Sequence, residues 1–288
     1  MSDNQKTLNK SIEFSGVGLH TGKVANMAIE PAKINHGIKF QRIDLENQPI
    51  LPADINLVTD TVRSTTLEKD NVKIITVEHL MSALYALGVN NVLIKIDSSE
   101  VPILDGSAKF FVHEIQKVGL KIQEAPLKYI HLPNPIHYKD SDSGSEILFV
   151  PANNFIISVV LDYENLALGT QYAEIRDLKD YSTEIAPCKT FVFLTELEKL
   201  ANADLIKGGG LENAIVVVDR EDTKPSEIKK LAHLLGKDDS DIQINGNVLN
   251  NCEMQFHNEP ARHKLLDVIG DLALIGMPIK GHIITKKP

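Results

Sequence analysis

The first half of the chain alternates short apolar segments with turn residues and contains one strongly helical stretch. From Thr76 to Gly88 the apolar residues recur at helical spacing, so we predict a helix with Thr76 as its N-cap and Gly88 as its C-terminal stop. Runs of β-favouring residues bounded by Gly, Pro or Asn predict strands elsewhere. These strands are residues 11–14, 24–29, 37–42 and, directly after the helix, 91–96.

The second half begins where this pattern pauses, near residues 124–126, and we predict two domains, residues 1–126 and 127–288. The apolar pattern of the second half predicts strands 147–150, 155–162 and 214–218 and helices 195–203 and 260–275. Pro260 suits the first position of the last helix, and Gly276 is suited to end it. Residues 220–258 are the most polar part, which we interpret as an insert with a short helix near 226–235.

Both halves close with the same succession of a helix end, a glycine and a strand. The two segments read ALYALGVNNVLIKI (residues 83–96) and DLALIGMPIKGHII (residues 271–284). We interpret them as a weak internal repeat of two α+β domains. Laying Gly88 on Gly276 also lays His79 on Asp267. A site shared across a domain interface could form at such matched positions.

Composition and charge exclude several classes of protein. The chain has 30 Lys and Arg residues against 39 Asp and Glu, a net charge of −9, and no Trp, which argues against a nucleic-acid-binding face. The two cysteines, Cys188 and Cys252, are expected to be thiols. The polar N-terminus has no signal-peptide pattern, and no apolar run approaches the ~20 residues of a membrane helix. We therefore expect a cytoplasmic protein.

The last predicted helix carries the residues best suited to chemistry. His263, Asp267 and Asp271 are spaced at i, i+4 and i+8, so they share one face. A histidine and a carboxylate one turn apart can bind a single metal ion, and catalytic zinc takes three protein ligands. His79 could be the third ligand, with Glu78 beside the metal as general base. The same spacing also fits a solvated polar face with a His–Asp pair, which spacing alone favours. The apolar residues that border the stripe make a purely solvated face less favoured and keep both interpretations open.

The segment before the second predicted helix offers a further candidate. The hydroxyl of Thr190 could donate to a developing oxyanion, although an ordinary turn or N-cap is the commoner explanation of a threonine there. Gly208 to Gly210 form only a weak phosphate-binding signal, because no GK[ST] follows. His257 and His282 are predicted to be structural or surface residues.

These motifs together resemble one enzyme family. They are GVGLHTGK (16–23), TVEHLMSALYALGVNN (76–91), PILDGSA (102–108), KTF (189–191) and RHKLLDVIGDL (262–272). Through them nearly the whole chain resembles the UDP-3-O-acyl-N-acetylglucosamine deacetylases, hydrolases that catalyse the committed step of lipid A biosynthesis in Gram-negative bacteria. The resemblance implies an α+β fold of two similar two-layer domains with the active site between them. The implied substrate is a UDP-sugar lipid precursor.

The resemblance also implies a metal site. His79, His263 and Asp267 would hold one Zn²⁺ per chain, although a site of two histidines and one aspartate could also hold Fe²⁺. Glu78 would be the general base that activates the attacking water. Together these residues would hydrolyse the N-acetyl group and release acetate and a free amine.

Further matching positions receive roles from the same resemblance. Thr190 would be the oxyanion donor, Lys264 the cation that stabilises the tetrahedral intermediate and contacts substrate, and Asp271 a carboxylate that orients a catalytic histidine. His20 would lie near the site and contact substrate. A passage for the fatty acyl chain would be lined by Phe191, Phe193, Leu197 and Ile206.

One part of the family pattern is not found in residues 1–288. The family carries a catalytic histidine in a Gly-His motif just after the last strand, and the sequence ends at Pro288 before that point. We therefore expect further residues, and a fused 3-hydroxyacyl-carrier-protein dehydratase domain beyond Pro288 is one candidate. The alternative function is a fragment that binds zinc and substrate but is catalytically impaired. An unrelated metallopeptidase is disfavoured because H-E-x-x-H is absent.

Overall fold

The computed structural model describes residues 3–202, 207–210, 212–220, 229, 244–249 and 254–288, in which strands are joined by a few helices. The first half contains β1 (Asn4–Leu8), β2 (Ile12–Val17), β3 (Val24–Pro31), β4 (Ile38–Arg42), β5 (Ile50–Pro52), β6 (Val58–Asp60), β7 (Thr66–Lys69), β8 (Val72–Ile74), α1 (Glu78–Ala86), β9 (Val92–Ile96), α2 (Lys109–Val118) and β10 (Leu120–Pro126). The second half contains β11 (Ile130–His131), β12 (Ile136–Lys139), β13 (Glu146–Val150), β14 (Phe155–Leu161), β15 (Gln171–Ile175), α3 (Tyr181–Glu184), β16 (Phe191–Phe193), α4 (Leu194–Asn202), β17 (Ile215–Val217), β18 (Ile244–Asn245), β19 (Val248–Leu249), α5 (Glu259–Ala273) and β20 (Ile279–Lys286).

The two main sheets have the same strand order and the same strand directions. The first sheet is ordered β2-β3-β9-β4-β5, and the second β12-β13-β20-β14-β15 with β11 added beside β20. In the first, β9 is antiparallel to β3 and parallel to β4. In the second, β20 is likewise antiparallel to β13 and parallel to β14. The α+β class and the internal repeat are therefore confirmed, while the boundary at residue 126 stays a prediction.

Helices α1 and α5 occupy equivalent places, because each directly precedes the central strand of its sheet. They pack against each other, and α5 also packs on β14 and β15. Gly270 of α5 lies so close to α1 that a Cβ atom there would sit 2.0 Å from the carbonyl oxygen of Glu78. Apolar residues of both helices and both sheets form one continuous core. This packing brings polar residues of α1 and α5 close to each other.

The start of α1 differs from the sequence prediction. Thr76 has a φ of 60°, and its hydroxyl donates to the Glu100 carboxylate at 3.0 Å. Val77 takes the N-cap position without a side-chain cap bond. The prediction that Thr76 caps the helix is therefore wrong, because a distant carboxylate binds its hydroxyl. Gly88 ends α1 with a φ of 72°, and Gly276 follows α5 with a φ of 79°, as predicted.

Each half carries a smaller sheet between the last strand of its main sheet and its central helix. In the first half this sheet is β6-β7-β8, and in the second it is β16-β17-β19-β18. Most of the predicted polar insert, including all of its predicted helix near 226–235 except residue 229, lies outside the described residues, as does Cys252. Cys188 is a buried free thiol. No helix in the described ranges is long and apolar enough to cross a membrane.

Candidate metal centre

Three potential metal ligands meet where α1 and α5 pack. His79 lies on α1, and His263 and Asp267 lie one turn apart on α5. Oδ1 of Asp267 is 3.3 Å from Nε2 of His263 and 3.6 Å from Nε2 of His79, and one ligand atom of each residue lies within 4.8 Å of the others. Two atoms bound at ~2.05 Å to a tetrahedral ion are about 3.3 Å apart, so the observed spacing fits zinc.

The electrostatics of these three side chains also suit a cation. Burial lowers the pKa of His79 to about 3 and also lowers that of His263, so both imidazoles are neutral and keep a lone pair. Burial opposes the charge of Asp267, but the neighbouring His263 and Lys264 bring the pKa of its carboxyl below the ordinary value. Its Oδ1 is buried and has no hydrogen-bond partner among the described residues. A bound cation would stabilise a buried carboxylate oxygen of this kind.

The remaining polar atoms of the cluster are held in place. Nδ1 of His263 lies 3.0 Å from the carbonyl oxygen of Cys188. Because a carbonyl oxygen can only accept, Nδ1 carries the proton and Nε2 is left for a metal. The Lys264 ammonium donates to Oδ2 of Asp267 at 3.0 Å, which leaves Oδ1 as the free oxygen. Burial alone would lower the pKa of Lys264, but Asp267 raises it above the ordinary value.

Glu78 and Asp271 form a second pair of carboxyl groups behind the cluster. Burial, followed by the charges of Asp267 and Asp271, raises the pKa of Glu78 to about 8. Burial raises the pKa of Asp271 to about 6. A cation bound by His79 and its partners would oppose these effects and lower the pKa of Glu78. Glu78 is thus suited to exchange a proton near neutral pH.

A cleft of about 640 Å³ lies beside the cluster and collects most of the other predicted site residues. It is lined among others by His20, Thr190, Phe191, Phe193, Leu197 and Lys264. Nε2 of His20 is buried and has no hydrogen-bond partner within the described ranges. Ile206 lies outside the described residues. The roles of all these residues stay predictions, although the structure places those described on one cleft.

Comparison with known proteins identifies the family. A family model described as LpxC, UDP-3-O-acyl N-acetylglycosamine deacetylase, matches residues 5–233 and 226–288. The chain belongs to this deacetylase family. The bifunctional enzyme LpxC/FabZ of Bacteroides thetaiotaomicron is 46% identical over 284 residues, which are 99% of this chain and 61% of that relative. The UDP-3-O-acyl-N-acetylglucosamine deacetylase of Myxococcus xanthus is 38% identical over 99% of this chain and 82% of its own length. The chain thus spans less than two thirds of the bifunctional relative.

In this deacetylase-family chain, the PILDGSA motif hydrogen-bonds to the backbone of Thr190. The Thr190 amide donates to the carbonyl oxygen of Gly106 at 2.8 Å, and the Thr190 carbonyl accepts from Ile215 at 2.8 Å. A Cβ atom on Gly106 would lie 1.7 Å from the carbonyl oxygen of Asn213. Only glycine fits this close approach, and the φ of 80° at residue 106 also favours glycine. The backbone of Thr190 is therefore hydrogen-bonded to both halves of the fold.

Two polar residues at the site were not found from the sequence. Thr65 donates its amide to Glu78 at 3.0 Å and its hydroxyl to Asp271 at 2.6 Å, and so links the two carboxyl groups. The fully buried Glu100 accepts from the amides of His20 and Thr21 and from the hydroxyls of Thr21 and Thr76. Neither residue has a spacing that signals its role. Their partners lie in distant parts of the chain, and only the folded structure shows the contacts.

Proposed function

We propose that this protein is a zinc-dependent amidase that removes the N-acetyl group of UDP-3-O-(3-hydroxyacyl)-N-acetylglucosamine and releases acetate. The observation that carries the proposal is the unsatisfied Oδ1 of Asp267, which faces the neutral imidazoles of His79 and His263 next to Glu78. Membership of the deacetylase family supports the choice of substrate. In this proposal the reaction is the committed step of lipid A biosynthesis, and it takes place in the cytoplasm of a Gram-negative bacterium.

The three ligands would hold Zn²⁺, and the same donor set also suits Fe²⁺. The bound ion would supply a Lewis acid that polarises the acetamide and lowers the pKa of water to near ~7. Glu78 accepts the proton of the attacking water, because its carboxyl group exchanges protons near neutral pH. Asp271 would orient a catalytic histidine, as the resemblance implies, and in the structure it accepts from Thr65.

Charge that develops on the acetamide oxygen needs donors on the cleft side. Thr190 and Lys264, which carry a hydroxyl and an ammonium group, both line this cleft. Asp267 raises the pKa of Lys264 against the effect of burial, so the amine stays protonated. One such donor is worth about 3 kcal/mol of transition-state stabilisation.

The apolar wall of the cleft suits the acyl chain. Phe191 and Phe193 stand edge to face with ring centroids 6.1 Å apart, and Leu197 lies on the same wall. Binding of the acyl chain there would use remote contacts to position the acetamide. Two relatives are named as bifunctional LpxC/FabZ enzymes. A fused dehydratase domain stays a prediction for this protein.

Acetate release during zinc titration of the metal-free protein tests the proposal. We expect activity to rise to one equivalent of zinc, and Asp267→Ala to lose both the zinc and the activity. Asp142→Ala, in an exposed loop, is the matched control and should retain both. Zinc binding without acetate release would support the impaired-fragment alternative instead. Unchanged zinc content in Asp267→Ala would show that the ligand assignment is wrong.

A further inference from the structure

Glu259, the first residue of α5, is a buried carboxylate that the proposed reaction does not use. Its side chain is among the most buried polar groups, with 1% exposure. Oε1 accepts from the amide of Lys189 at 2.9 Å, and Oε2 accepts from the amide of Gln255 at 2.6 Å. Glu259 lies one turn before His263 and extends the stripe that continues to Asp267 and Asp271.

The contact with Lys189 involves a peptide group that also binds His263. The amide of Lys189 and the carbonyl of Cys188 belong to the same planar peptide unit. The amide donates to Glu259, and the carbonyl accepts from Nδ1 of His263. Two side chains of α5 therefore hold the two ends of one peptide group. Rotation of that group would break both hydrogen bonds together.

We propose that Glu259 is a positioning residue that acts on His263 and Thr190 through the Cys188–Lys189 peptide group. Where a ligand histidine donates its second nitrogen, the acceptor fixes the ring and increases its basicity. Here the acceptor is a carbonyl whose own N–H is bound to a carboxylate, and hydrogen bonds in such a chain strengthen one another. Thr190 follows directly in the chain, so the same contact fixes the start of its backbone. The part of the inference that concerns zinc rests on the proposed function.

A different role for Glu259 would give a different pattern of variants. An acidic side chain in the first turn of a helix also stabilises the helix dipole, and that effect depends on charge alone. Glu259→Gln removes the charge but keeps an oxygen that can accept from Lys189. Its NH₂ group would then face the amide of Gln255, an exposed residue at which water can replace the lost acceptor. Glu259→Met has a similar length and leaves both amides without an acceptor.

Zinc affinity, measured by competition with a chromophoric chelator, should separate the two roles. We expect Glu259→Met to bind zinc about tenfold more weakly, the lower end of the range for partners of ligand residues. Glu259→Gln should stay close to the unsubstituted protein. Equal losses in both variants would assign the effect to charge, and no loss in either would also overturn the proposal. Glu30→Met and Glu30→Gln are matched controls, because Glu30 pairs with Lys95 where both side chains are 35% exposed.

A second measurement does not depend on zinc, on activity or on the folding of the Met variant. In the metal-free protein, nitrogen NMR should show His263 as the Nδ1–H tautomer, and the Lys189 amide should exchange slowly with solvent. Glu259→Gln should preserve both signatures. Rapid exchange of Lys189 in the folded, unsubstituted protein would refute the proposal even if the protein proves to be an active deacetylase. Slow exchange in a protein without deacetylase activity would leave the positioning role standing and refute only the proposed function.

Discussion

Replacement of Gly270 by alanine tests whether the close packing of α1 and α5 builds the metal centre. A Cβ atom at residue 270 would lie 2.0 Å from the Glu78 carbonyl oxygen and 2.7 Å from its carbonyl carbon. Both are backbone atoms that cannot turn aside. Because Cβ contacts below 3.0 Å are essentially never seen, the helices must separate by about 1 Å.

The effect on folding is the balance of two opposing terms. Alanine favours a helix interior over glycine by about 1 kcal/mol. Overpacking of a well-filled interface costs about 1–3 kcal/mol. We therefore expect Gly270→Ala to lower the free energy of unfolding of the metal-free protein by up to about 2 kcal/mol. Thermal unfolding measures this difference directly.

A separate effect on zinc binding is expected, because the ligands are divided between the two helices. His79 follows Glu78 directly on α1, whereas His263 and Asp267 lie on α5. Metal–ligand distances tolerate deviations of about 0.2 Å, much less than the expected separation. We expect zinc affinity to fall at least ~10-fold in a chelator competition assay.

Gly276→Ala provides the control at the end of the same helix. Its φ of 79° disfavours alanine, but nothing lies within 4 Å of the added Cβ. This variant should lose about 1–2 kcal/mol of stability and keep its zinc affinity. If Gly270→Ala binds zinc as tightly as the unsubstituted protein, or is more stable by the full helix-propensity gain, the reasoning about the helix contact is refuted.

Two further variants test the polar residues around the cluster. Burial raises the pKa of Asp271 from 3.8 to about 6, so this carboxyl favours folding below pH 3.8, and the contribution is lost as pH rises through 6. Asp271→Asn should remove this loss, about 3 kcal/mol in the free energy of unfolding between pH 4 and 7. Urea unfolding of the metal-free protein measures it, and an unchanged dependence of stability on pH would contradict the reasoning. Glu100→Gln leaves one backbone amide of the His20 loop without an acceptor, which costs about 1–3 kcal/mol. It should raise KM more than it lowers kcat at unchanged zinc content, and loss of zinc would contradict this role.

The fold was largely predictable because hydrophobic periodicity repeats in the two halves. The matched glycines Gly88 and Gly276 end equivalent helices, and the strands after them are the central strands of equivalent sheets. The match of His79 with Asp267 followed from that repeat alone. Thr76 was assigned wrongly because its hydroxyl donates to Glu100, 24 residues away, instead of capping the helix. The sequence around Thr76 does not indicate such a distant partner.

The site was only partly predictable, for a related reason. The spacing of His263 and Asp267 shows that they share a helix face but not what lies opposite that face. Only the packing of α1 on α5 distinguishes a metal cluster from a solvated pair. The carbonyl of Cys188 that orients His263 belongs to the backbone, so no side-chain pattern could reveal it.

The repeat also explains why the centre is asymmetric. With Gly88 laid on Gly276, α1 begins opposite Leu266, seven residues after the first residue of α5. The two helices contribute His79 and Asp267 from equivalent positions, one from each repeat. His263 and Glu259 lie in the extra two turns of α5, which have no helical counterpart in the first half. The third ligand, and the carboxylate that binds the peptide group orienting it, therefore come from an extension of only one helix. Neither half alone supplies three ligands in this geometry, so zinc binding should require both halves to be folded and packed.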